Sequence, residues 1–157
     1  MNKIKIIKNP HGDTRHAPKD TTFAEFHQAN FDHILDVQAV MFALAKRLEK
    51  QGEDHDRTKL EYEERFWRDF QAALLNGEDF TKSWWYLMHV HEEKHHPLSN
   101  CHHDINLLDV IEMIVDCVCA AKTRAGSLGQ LKLDEDILRL AFRNTVMLVD
   151  DMTEVVE

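Results

Sequence analysis

His55 and Asp56 stand side by side, with His33 upstream, Lys59 just behind, a histidine-rich run between His89 and His96, and Asp116 downstream. Imidazole offers a neutral nitrogen and carboxylate a hard oxygen, so adjacent His and Asp can serve one cation, and the other residues are ligand types it still needs. A lone His-Asp pair is commonly solvated surface. The ordered series reads as a metal site assembled from several helices.

The run His89-Val90-His91-Glu92-Glu93-Lys94-His95-His96 permits two incompatible readings. His89 and His96, about two helical turns apart, can reach one ion from one side. Alternatively, His91 and His95 match the His-Glu-x-x-His pattern of a zinc peptidase, with Glu92 as general base. Against the peptidase, the helix is expected to end at His96 or Pro97, and no third ligand follows in a recognised arrangement.

Helices must position these residues. Thr22-Phe23-Ala24-Glu25 fits a capping box, and Phe26, Val37, Val40, Met41, Leu44 and Leu48 then recur at helical spacing until Gly52. A short segment carries His55 to Lys59. Tyr62, Phe66, Phe70, Ala73 and Leu74 mark a second long helix closed by Asn76-Gly77. A third is expected from about Thr81 toward His95, a fourth from about Asn106 to Ala125 near Gly126, and a fifth after Asp134. The segment before Thr21, with Asn9-Pro10, Gly12 and Pro18, reads as an extended arm. His33 shares the face of Phe26, Val37, Val40 and Leu44, which turns it inward with the core. Asp116 lies among Met113, Cys117 and Ala120 on the most apolar helix, where a carboxylate is costly to bury unless paired or metal-bound. Glu112 and Asp109 continue it into a stripe whose bland reading is a solvated face.

The 157 residues fit a single globular domain, in which 1–21 form the arm, 22–125 the metal-binding core and 134–157 the last helix. No apolar run approaches the roughly 20 residues of a membrane span, and the N-terminus lacks the features of a signal peptide. A cytoplasmic protein is expected, in the host cytoplasm if phage-encoded. Cys101, Cys117 and Cys119 make neither a disulfide framework nor a zinc ribbon, and at least one of the last two should enter the core. A formal charge of −9 disfavours long nucleic acid as a partner. The apolar helix faces would accommodate a homodimer.

The order His33, His55-Asp56, Asp116 resembles the HD superfamily of metal-dependent phosphohydrolases, and His55-Asp56-Arg57-Thr58-Lys59 resembles its His-Asp-x-x-Lys form. The run of Asn9-Pro10, Gly12-Asp13-Thr14-Arg15, Lys94-His95-His96 and Glu112-Met113 through Asp116 is similar to a group of phage and bacterial HD-like proteins. The resemblance implies an all-α, HD-like bundle of about five helices. It implies that His33, His55, Asp56 and Asp116 bind one divalent ion. A second ion would take His89, His95 and His96, with Asp56 bridging. Mixed His and carboxylate ligands suit Mn, Fe, Co, Ni or Zn, and Mg is a further option.

With such ligands the natural reaction is hydrolysis of a small phosphoester, with a nucleoside or deoxynucleoside monophosphate as the expected substrate. Lys59 and Arg15 are the expected phosphate contacts, although Arg15 has a duller alternative in pinning the arm through Asp13. Glu112 is expected to orient a ligand histidine. Trp67, Trp84, Trp85 and Tyr86 suit a core better than a base-stacking platform, with Trp84 or Trp85 the residue that would cover a base. The alternative from another class is a binding protein that keeps the metal scaffold without turnover and sequesters a nucleotide or host factor.

Overall fold

The structure is a computed structural model and describes residues 3–156. It is all-α apart from one small ribbon, with helices α1 (Phe23–Asp54), α2 (Arg57–Glu61), α3 (Glu63–Asn76), α4 (Trp84–Glu92), α5 (Leu107–Ala125) and α6 (Glu135–Met152). The chain forms two compact units, Met1–Glu49 with Val146–Glu157, and Lys50–Thr145.

In the first unit, β1 (Ile4–Ile7) pairs in parallel with β2 (Thr153–Val156), Ile4 facing Thr153 and Ile7 facing Val156. The arm is therefore not wholly irregular. Its short Ile/Lys alternation finds a partner only at the far end of the chain, beyond the reach of local pattern reading. Helix α1 opens on a capping box: the Glu25 amide donates to Thr22 Oγ1 at 3.3 Å, and the Thr22 amide to Glu25 Oε2 at 2.8 Å. The face expected to be core is largely open, with His33 exposed and Phe26 and Val37 nearly half exposed. Periodicity shows that a face is apolar but does not supply an element to cover it. Arg15 is likewise exposed, and Asp13 occupies its guanidinium, with Nε at 3.0 Å from Oδ1 and Nη2 at 2.5 Å from Oδ2.

The second unit begins with the last turn of α1, which runs through Gly52 to Asp54 instead of stopping at the glycine. Helix α3 ends as expected, with Gly77 in the left-handed region at φ 71°. Helix α4 is capped by Ser83, whose Oγ accepts from the Tyr86 amide at 3.1 Å, and ends at Glu92, earlier than expected. Pro97 prevents the helix from continuing far: it disfavours helical geometry at His96, and a helix run through it would set its ring against the Glu93 carbonyl. His95 and His96 thereby leave the helix and occupy the turn after it.

Ile105, Val110, Met113 and Ala141 form the core of this unit, with Cys117 and Ile137 packed against it. A capping box starts α5, in which Asn106 Oδ1 accepts from the Leu108 amide at 2.8 Å and Asp109 Oδ2 from the Asn106 amide at 2.8 Å. Asp109 is thus a buried cap, not a solvated stripe residue. From α6, Asn144 Nδ2 donates to the carbonyls of His103 and Ile105, and Thr145 Oγ1 accepts from the Leu107 amide. These bonds fix the rotation of α5, and with it the direction of Glu112 and Asp116. Among the described residues no helix is long and apolar enough to cross a membrane. Ile105 is fully buried, so Ile105→Ala should cost about 2–5 kcal/mol in urea unfolding; a loss below about 1 kcal/mol, the scale of a surface change, would show that this core is not the one described.

Candidate metal centre

The chain turns between α1 and α2 at His55-Asp56, and Asp56 is the only non-glycine described residue at positive φ, 55°. Asp tolerates the left-handed region better than most residues. Here it aims a mostly buried carboxylate toward α4 and α5, with Lys59 of α2 alongside it.

Four histidines and Asp116 surround that carboxylate. Asp56 Oδ1 lies 3.4 Å from His89 Nε2 and 3.5 Å from His95 Nε2, while Oδ2 lies 3.3 Å from His55 Nε2. His96 Nε2 is 2.9 Å from His89 Nε2, and Asp116 Oδ1 is 3.7 Å from His55 Nε2. Two groups suited to hold an ion follow, Asp56 with His89, His95 and His96, and Asp56 with His55 and Asp116. Asp56 is common to both. Ligand bonds of about 2.0–2.2 Å meeting at 90–110° place ligand atoms about 2.8–3.6 Å apart, and the observed spacings fall in or near that range.

A third candidate group, His55, His95 and Glu112, is better read as an orienting set. Glu112 Oε1 lies 2.9 Å from His55 Nδ1 and 3.1 Å from His95 Nδ1. An ionised carboxylate only accepts, so each ring presents N–H to Glu112 and turns Nε2 toward Asp56. His89 is held otherwise. Its ring stacks on Trp85 at 4.6 Å and 14°, Trp85 stacks on Phe66 at 3.9 Å, and Nδ1 meets Thr58 Oγ1 at 2.7 Å. Trp85 is therefore core beneath a histidine and closed to a base, whereas Trp84 is half exposed with Arg65 over its ring.

The fit to a cation rests on two orphaned atoms. Asp56 Oδ1 and His95 Nε2 are both buried without a hydrogen-bond partner, and they face each other. A cation between them would satisfy Asp56 Oδ1 and, by displacing the proton that His95 otherwise holds, the lone pair of His95 Nε2. The electrostatics agree with a site built for positive charge. Burial alone would raise Asp56, but His95 and Lys59 hold it well below the ordinary carboxylate range. Burial likewise opposes the charge on Glu112, which His95 and His55 keep below its ordinary value. Burial, followed by neighbouring imidazoles, pushes His89 and His96 down to about 4. His95 goes the other way: burial opposes its charge, yet Asp56 and Glu112 raise it to about 9.

Of the residues named from sequence, His55, Asp56, His89, His95, His96 and Asp116 come together, with Glu112 behind two of the rings. Lys59 lies at the rim with its ammonium on Asp56. His33 and Arg15 belong to the first unit, and His33 joins none of the candidate groups. His91 is exposed and near His102, not beside His95, because α4 ends between them; the His-Glu-x-x-His face does not form. Sequence reading missed Thr58 and Glu93. Both lie beside named residues, but nothing local shows that they meet, 35 positions apart.

Protons at these histidines give the metal-free protein a stability optimum. His89 and His96, lowered to about 4 from 6.5, add stability that is whole above pH 6.5 and lost as the pH falls toward 4. His95, raised from 6.5 to about 9, adds stability that is whole below pH 6.5 and lost as the pH rises through 9. Urea midpoints of chelator-treated protein should therefore peak near pH 6.5 and fall on both sides; a midpoint still rising from pH 7 to 9.5 would contradict this assignment.

Residues 22–157 match a family of unknown function, DUF5662. Nothing matches among the curated proteins or the solved structures. With nearly the whole chain covered by that match, the protein belongs to the DUF5662 family.

Proposed function

We propose that the protein is an HD-type, metal-dependent phosphohydrolase acting on a small phosphoester, a nucleoside or deoxynucleoside monophosphate. The observation that carries this reading is the buried carboxylate of Asp56, whose unpartnered Oδ1 faces the unpartnered Nε2 of His95 within a ring of further imidazoles. His55, Asp56 and Asp116 would hold one divalent ion, and Asp56, His89, His95 and His96 a second. The order of these residues is the one that the HD resemblance implies, and the mixed His and carboxylate set suits Mn, Fe, Co, Ni or Zn better than Mg, which prefers oxygen ligands. His33, the remaining residue of that pattern, lies in the first unit.

A divalent ion bound here supplies Lewis acidity toward a phosphoryl oxygen and lowers the pKa of water. The chain's own residues do the rest. Glu112 keeps the His55 and His95 rings oriented through their Nδ1 atoms. Lys59, one-third exposed, is the cation at the rim, positioned to meet a phosphate oxygen when it leaves Asp56. Asp116, more accessible than Glu112, would be the carboxylate ligand nearer to solvent. The net reaction adds water across a P–O ester bond and releases an alcohol and phosphate.

Phosphate release from a nucleotide panel, with Mn, Co or Mg added, tests the proposal. Wild type should turn over at least one nucleotide in a metal-dependent manner, and Asp56→Asn should lose at least about 100-fold in kcat/KM. Hydrolysis by Asp56→Asn at the wild-type rate would overturn it. Metal binding with no turnover of any phosphoester would assign the site to binding alone.

A further inference from the structure

His55 and His95 rest directly on a carboxylate, but His89 does not. Its Nδ1 meets Thr58 Oγ1 at 2.7 Å, and Thr58 in turn donates its hydroxyl proton to Glu93 Oε1 at 2.9 Å. The Thr58 amide also donates to that Glu93 oxygen, at 3.2 Å. Thr58 is 2% exposed and His89 3%, so water does not substitute freely for either bond.

Proton counting then determines the ring. A hydroxyl carries one proton, and Thr58 has given it to Glu93; toward His89 it can only accept. The His89 Nδ1 must therefore carry hydrogen, and a neutral imidazole with Nδ1–H has a bare lone pair on Nε2. That Nε2 is the atom 3.4 Å from Asp56 Oδ1 and 2.9 Å from His96 Nε2. We infer that Thr58 and Glu93 are positioning residues, a hydroxyl–carboxylate relay that locks His89 in the tautomer whose Nε2 lone pair faces the shared Asp56 carboxylate. The inference rests on the reading of His89 and Asp56 as ion ligands and adds to it the groups that prepare His89.

The relay explains two local features. Helix α2 is a single turn, yet it places Thr58 inward and Lys59 at the rim directly after Asp56, so one short element carries a ligand's neighbour, a ligand's orienter and a cation. Glu93 is the first residue beyond α4, in extended geometry at φ −101° and ψ 108°; the helix end at Glu92 frees this carboxylate to turn back onto Thr58.

Long-range proton–nitrogen NMR of chelator-treated, 15N-labelled protein reads the tautomer, with His89 assigned by the signal missing in His89→Asn. Wild type and Thr58→Ser should show Nδ1–H. Thr58→Val, the same shape without the hydroxyl, should move His89 toward Nε2–H. Glu93→Ala frees the hydroxyl to donate to His89 and should do the same, and it serves if Thr58→Val does not fold. Titration with cobalt(II) alone should show affinity about 10–100-fold weaker in Thr58→Val and within about threefold of wild type in Thr58→Ser. A purely structural threonine would change stability and leave the tautomer alone. Nδ1–H persisting on His89 in the folded variants would overturn the relay. Wild type that binds no cobalt would overturn the metal reading instead, so the two failures appear in different signals.

Discussion

The second unit is organised around the cost of burying one carboxylate. Asp56 is largely withdrawn from water, it has one oxygen without a hydrogen bond, and it faces four imidazoles. Asp109 meets the same cost with hydrogen bonds from Gln51 and the Asn106 amide, but Asp56, with Oδ1 unbonded, depends on positive charge reaching it. In this chain that charge has several sources: Lys59 from the next turn, a proton on His95, or a metal cation at the converging lone pairs. The left-handed backbone at Asp56 is the local strain accepted to aim the carboxylate there.

Other elements follow from that requirement. Helix α5 is held by bonds from Asn144 and Thr145 so that Val110 and Met113 enter the core while Asp116 reaches the side of Asp56 and Glu112 the far side of the His55 and His95 rings. Helix α4 stops early, which puts His89 inside the helix and His95 and His96 in the turn beyond it, on three different approaches to one point. The stack of Phe66, Trp85 and His89 joins the aromatic core to the polar site, so packing fixes a ring plane as well as excluding water. Three of the four rings are oriented from behind, His55 and His95 by Glu112 and His89 by Thr58.

Much of this was legible locally. The Thr22–Glu25 box, Gly77, the Asn106 cap and Gly126 punctuate the helices as their chemistry requires, and the His/Asp series named most of the cluster. What local pattern does not carry is nonlocal. The face of α1 that holds His33 is apolar at helical spacing, but a face does not identify the element that covers it. The Ile4–Ile7 strand has its partner at the other end of the chain. Pro97 signals that α4 must stop but not that it stops at Glu92. The His91–His95 pattern needs one continuous helix, and the helix ends between them. Thr58 and Glu93 were invisible because a hydroxyl and a carboxylate acquire their role only when folding brings them to His89.

The most direct test is the metal content of protein purified without chelator and without a histidine tag, by elemental analysis before and after reconstitution with Mn, Co or Zn. The account predicts at least one divalent ion per chain, lost when Asp56 is replaced by Asn. A wild-type chain that stays below a tenth of an ion after reconstitution would mean that Asp56 is balanced by Lys59 and the His95 proton alone, and the metal centre would be contradicted.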